Sequence, residues 1–264
     1  LNRCSMPSPQ FAATEVPSTL QASGEARWLA STPLMDLRDS KLRLRVQSLT
    51  QLRRTPREQA VAIYGFVKTL PLMMAPAYRV MTARDCLEAR RAGWYGKSTL
   101  LIALLRATGL PARLRVLGLS GEVLRGLVKT HLPFYLPVVE VWLDDRWVRT
   151  DTHILDPRSM SAARKALMEN GWMRGFGVHR LGESLWNGRE DAFAAVALDR
   201  HHSGMPFEDF GVFDDIAGFV QWMRRHQPQK WAMGMAHYRI MRPRLRRGLE
   251  AMHGGPDRSV TVGR

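Results

Sequence analysis

Cysteine is almost missing from this sequence. Cys4 and Cys86 are the only two among 264 residues, too few for a disulfide framework and without the spacing of a metal site. Such scarcity suits a reducing compartment, so a cytoplasmic location is expected. Lysine is scarce as well, six of the 39 basic residues, so the net charge of +15 is carried by arginine spread along the chain. Basicity of that kind does not by itself predict a nucleic-acid partner. No apolar run approaches the ~18 residues of a transmembrane helix, and LNRCSMPSPQ at the start lacks the apolar segment of a secretory signal. Internal repeats and low-complexity blocks are absent too.

Enough apolar residue remains, 45%, to bury a core. Residues 1–25, with Pro7, Pro9 and Pro17 among small polar residues, read as a loosely ordered arm. A helix is expected within 35–52. Thr55-Pro56-Arg57-Glu58 is a capping box with proline at the first helical position, and Ala60, Ile63, Tyr64 and Val67 then share one face. Thr82 opens a shorter helix to about Arg91 that turns Cys86 inward. The stretch 100–107 is apolar around most of a helix and should be central, with Gly109 and Pro111 ending it. A half-buried strand follows to about Leu117, then a loop or lid over 118–136. A hairpin pairs 138–143 with 146–150. Helices are expected over 159–169, 215–225 and, with a break or kink at Pro243, 231–252; 171–212 reads as irregular.

Gly93–Leu119, GWYGKSTLLIALLRATGLPARLRVLGL, admits two incompatible readings. Gly96-Lys97-Ser98-Thr99 suggests a phosphate-binding loop. That motif needs a glycine five residues before Gly96 and a preceding buried strand. Arg91 stands at the glycine position, and 87–91 reads as charged helix. A nucleotide-binding function is therefore the weaker alternative.

The second reading uses more of the chain. The helix, then Arg106-Ala107-Thr108-Gly109-Leu110-Pro111-Ala112-Arg113, and the block from Glu140 to Asp151 resemble the transglutaminase-like superfamily. Leu185–Asp191 and Asp209–Phe213 resemble a tail of its bacterial members. The resemblance implies an α+β, papain-like core, with a buried central helix on an antiparallel sheet and additional C-terminal helices. It also implies a site: a cysteine at the helix N-terminus, where the dipole favours thiolate, a histidine on the hairpin's first strand and an aspartate after the second. Lys97 places the cysteine at Trp94, Glu140 places the histidine at Leu136, and only Asp151 is retained.

The resemblance thus implies a catalytically silent domain, a binding or scaffolding module with a protein or peptide partner in the former cleft. The alternative is a hydrolase or acyltransferase with a relocated nucleophile, Ser98 with His131 and Asp151. Cys86 is expected to pack as a small apolar residue. Asp151, His153 and Asp156, a conceivable metal set, more simply cap turns, and no cofactor or metal is expected. His201-His202 reads as a solvated pair. Arg239, Arg242, Arg244, Arg246 and Arg247 form the densest basic run, either a solvated helix face or a site for an anionic partner. The expected organisation is the arm (1–25), the transglutaminase-like domain (26–215) and a helical extension with a basic tail (216–264).

Overall fold

A computed structural model describes residues 24–74, 80–197 and 207–252; Cys4, most of the N-terminal arm, His201-His202 and the end of the tail lie outside them. After a 3-10 turn at Glu25–Leu29, helix α1 spans Ser40–Thr50, capped by the Asp39 carboxylate. In α2, Pro56–Thr69, Thr55 Oγ1 accepts from the Glu58 N–H while the Glu58 carboxylate accepts from the Thr55 N–H. Helix α3, Ala83–Ala89, repeats the device with Thr82 and Asp85. The central helix α4 spans Trp94–Ala107. Its leucines are fully buried, and Gly109, at φ 88°, ends it.

Four antiparallel strands follow the order β3-β2-β1-β6: β1 is Ala112–Leu119, β2 Phe134–Leu143, β3 Arg146–Thr150 and β6 Phe207–Phe213. The β2–β3 turn is Asp144-Asp145, both at positive φ, the signature of a type I′ hairpin whose twist matches its strands. A 3-10 turn at Gly121–Leu124, a two-stranded ribbon, β4 Arg174–Gly175 with β5 Val178–His179, and helices α5 (Pro157–Glu169), α6 (Ile216–His226) and α7 (Pro228–Met252) complete the described elements. The mixed helix and antiparallel-sheet layout is the one expected.

Strand polarity is settled electrostatically. Glu140 on β2 is 1% exposed, and its two oxygens accept from Arg113 Nε (2.6 Å) and Arg115 Nε (2.5 Å) of β1. Arg113 also lies over the Trp147 ring, 3.7 Å from its centroid. The arginines that alternate with Leu114 and Val116 are thus mostly covered, one on an aromatic face and both against a buried carboxylate.

Three expectations need correction. Of residues 118–136, the ends belong to β1 and β2, and the loop between is packed down: Val123, Leu124, Leu127 and Val128 are buried in a cluster with Leu117, Leu136, Met160, Leu245 and Leu249. Within 171–212, the ribbon and the fourth strand β6 are regular. Glu208, Asp209 and Gly211 hide β6 from an apolar count, but Arg115 neutralises Asp209. Helix α7 is one helix with Pro243 inside it, so the two expected helical halves are not broken apart there. Among the described residues no helix is long and apolar enough to cross a membrane.

Candidate functional site

The N-terminus of α4 sits against the start of β2. The Trp94 ring meets Phe134 edge-on at 5.7 Å between centroids, and Tyr95 donates from its hydroxyl to the Tyr135 carbonyl at 2.9 Å. Gly96 is inside the helix and nearly touches α3: a Cβ there would lie 2.9 Å from Cys86 Sγ and 3.1 Å from Ala92 Cβ. Lys97 is fully buried, its ammonium donating to the carbonyls of Lys68 (3.2 Å) and Leu70 (2.7 Å). Those are carbonyls at the end of α2, which lack partners within their own helix. Gly-Lys-Ser-Thr therefore forms no phosphate loop. Its glycine permits a close helix contact and its lysine caps a neighbouring helix.

Ser98, one residue on, is 1% exposed. Its Oγ lies 2.8 Å from His153 Nε2 and 3.1 Å from the Trp94 carbonyl. His131, the histidine expected to assist it, is exposed; the buried His153 takes that place. His153 Nδ1 has no partner among the described residues, and this favours one direction of the hydrogen bonds. With the proton on Nε2, His153 donates to Ser98 Oγ and Ser98 donates to the Trp94 carbonyl. With the proton on Nδ1, a buried donor is left unmet, a penalty of about 1–3 kcal/mol, and the Trp94 carbonyl keeps only its helical backbone bond. The first arrangement is favoured, and in it the imidazole is no base towards the hydroxyl. Burial, with the charges of Lys97 and Lys68, also holds the His153 pKa well below its ordinary value, so the ring is neutral.

Asp151 is equally committed. Its carboxylate accepts from the backbone N–H groups of Ala194 and Ala195 and makes no bond to His153. Burial raises its pKa to about 6, against the lowering effect of those N–H bonds and of Lys68. Strand alternation puts Phe134, Leu136 and Val138 on one face of β2. Leu136 is 2% exposed and shares its apolar cluster with Trp94, Ala194 and Ala195. Residues 94 and 136 belong to one apolar cluster, whose Ala194-Ala195 segment is held by Asp151.

Behind them runs a buried polar network that the sequence did not disclose. Tyr64 Oη and Thr152 Oγ1 are 2.9 Å apart, and Tyr64 Oη accepts from the Trp186 N–H. Lys68 Nζ donates to the carbonyls of Thr152 (2.7 Å) and Leu155 (3.1 Å). Asp156 caps α5 and binds Ser159 Oγ at 2.6 Å. His153, Lys68 and Tyr64 were each readable only as core or turn residues, because their partners are far away in sequence. Cys86 is no nucleophile: it is fully buried, and burial pushes its thiol up to about 12.

A buried helix set against an antiparallel sheet, with a hairpin ending in an acidic residue, is the layout of a transglutaminase-like domain. The family model of the transglutaminase-like superfamily matches residues 44–152, so that stretch of the chain is similar to the superfamily. No curated protein matches the chain. Among solved structures, a cysteine-protease candidate from Cytophaga hutchinsonii is 16% identical at a TM-score of 0.40, over 48% of this chain and 40% of that one. A protease candidate from Parabacteroides distasonis is 17% identical at 0.34, over 48% and 25%. This chain therefore spans less than half the length of either, and likenesses so distant carry no inference about activity.

Proposed function

We propose that this transglutaminase-like domain is catalytically silent and acts as a binding or scaffolding module, with a protein or peptide partner meeting the face around Trp94. The observation that carries the reading is the indole of Trp94, packed on Phe134 at the position the superfamily gives to cysteine. An indole has no nucleophilic atom to offer, and Leu136 has no proton to exchange. A single buried free thiol among the described residues fits the proposed cytoplasmic setting.

The relocated-nucleophile reading has one observation in its favour, the 2.8 Å contact of Ser98 with His153. Against it stand the burial of both side chains and a histidine that donates rather than accepts. A fluorophosphonate probe and an alkylating thiol probe, applied to the folded protein, separate the readings. No labelling above the heat-denatured control is expected. Labelling that Ser98→Ala abolishes would establish an enzyme and sink the silent-domain reading.

The arginine run gives a second contact surface to the same module. Arg244 and Arg247, with Lys129, line an open groove of about 410 Å³ beside Gly126–Val128, whereas Arg246 is paired with Glu250 at 3.6 Å. Arg239 is exposed and Arg242 half-buried on the same helix. We assign this surface to an anionic partner, whose affinity should fall steeply with salt. Retention on a sulfated column that Arg244→Ala/Arg247→Ala leaves unchanged would remove the assignment.

A further inference from the structure

A separate cavity of about 640 Å³ opens beside α5 and the 184–185 segment, within the size range of small-molecule sites. Much of its wall is apolar: Pro157, Met160, Met168 and Leu185 line it, and Met168 and Leu185 are 70% and 67% exposed. Three cations line it as well, Lys68, Arg164 and the exposed Lys165. Lys68 is 4% exposed. Two of its three ammonium donors go to the Thr152 and Leu155 carbonyls, leaving one. Arg164 donates from Nη2 to the Gly182 carbonyl, while its Nε is buried with no partner among the described residues.

The nearby carboxylates Asp151 and Asp156 attract Lys68 electrostatically, but they accept hydrogen bonds from other groups. Asp151 accepts from the Ala194 and Ala195 N–H groups, and Asp156 from the Arg158 and Ser159 N–H groups and Ser159 Oγ. Glu169, also on the cavity wall, lies 3.7 Å from Lys165. Burial brings the Lys68 pKa down to about 8, against the upward pull of Asp151 and Asp156, and Arg164 adds a smaller downward pull of its own, so the two cations sense each other. A buried guanidinium N–H with no acceptor among the described residues is unfavourable until one arrives, and a guanidinium matches a carboxylate through paired N–H bonds.

We propose that this cavity binds an aliphatic monocarboxylate, its carboxylate on Arg164 and Lys68 and its chain along Met160, Met168 and Leu185. The site lies apart from Trp94, and the proposal holds whether or not position 94 is silent.

Calorimetric titration of the full chain with octanoate, against 1-octanol as the uncharged ligand of equal length, tests it. Saturable one-to-one binding of octanoate is expected, with octanol at least about tenfold weaker, as the loss of a charge-assisted hydrogen bond dictates. Arg164→Leu should weaken octanoate to a similar degree and leave octanol unchanged. Met168→Glu, at an exposed position that folding does not need, should also weaken octanoate by repulsion. Arg247→Ala, in the other groove, should do nothing. The proposal is overturned by absent saturation, by equal binding of the two ligands, or by unchanged octanoate binding in Met168→Glu.

Discussion

His153 Nε2 lies 2.8 Å from Ser98 Oγ, and both side chains are shut away from solvent. Such a pair resembles half of a hydrolytic triad, yet the orphaned Nδ1 on the far side of the ring favours the histidine as the donor. The pair fastens the first turn of α4 to the segment after β3. Ser98→Ala should therefore lower stability by about 1–3 kcal/mol, the penalty for leaving a buried imidazole donor unmet. Urea unfolding monitored by tryptophan fluorescence measures it. A midpoint unchanged from wild type would mean that the contact is not made.

Lys97 predicts an unusual pH dependence. Its pKa is 10.5 in an unfolded chain but burial brings it to about 7 in the fold. Between those values the unfolded chain holds more protons, so stability rises as pH rises from about 7 towards 10.5. Lys68, brought down to about 8, acts with the same sign. Thermal scans should show Tm climbing by roughly 5 °C between pH 7 and 9.5, a change of a few kcal/mol for a chain of this size. Lys97→Met should flatten most of that climb; an identical slope in the variant would contradict the assignment.

Asp151 titrates in the opposite sense. Its folded pKa of about 6 stands above the unfolded 3.8, so the folded state holds the extra proton and stability falls as pH rises from about 4 to 6. In Asp151→Asn an amide N–H₂ must face one of two backbone N–H donors, a loss of about 1–3 kcal/mol. The stability gap between wild type and variant should shrink as pH rises through that window. A gap that widens would refute it.

Gly96 is held to glycine by Cys86. Gly96→Ala places a methyl 2.9 Å from Cys86 Sγ, an overpacking expected to destabilise by about 1–3 kcal/mol. Because the clash is with one side chain above all, Gly96→Ala/Cys86→Ala should recover part of the loss relative to the sum of the single variants. Strict additivity in a double-mutant cycle would show that the strain lies elsewhere.

The helices were legible where a local device announces them. Thr55 with Glu58 and Thr82 with Asp85 are complete within four residues. So is the Asp144-Asp145 turn, and the apolar circumference of α4 required burial. Strand β6 was not legible because its carboxylates meet a partner, Arg115, 94 residues away. The site divides along the same line. Trp94, Leu136 and Asp151 are assigned through the family pattern, whereas Lys97 looked like a phosphate ligand because nothing in its surroundings in sequence reveals the carbonyls of Lys68 and Leu70. His153 looked like a turn residue for the same reason: Ser98 lies 55 positions earlier.

Glu140 sits between Arg113 and Arg115, two residues apart on the adjacent strand. A one-residue slip of β1 against β2 would turn both guanidiniums to the opposite face and leave a dehydrated carboxylate with no cation, a loss of about 3–5 kcal/mol. The three residues work as a key in a lock: only one alignment of the two strands closes it. Since Trp94 and Tyr95 rest on Phe134 and Tyr135 of that same β2, the alignment that the key selects also decides which aromatic rings meet the head of the central helix.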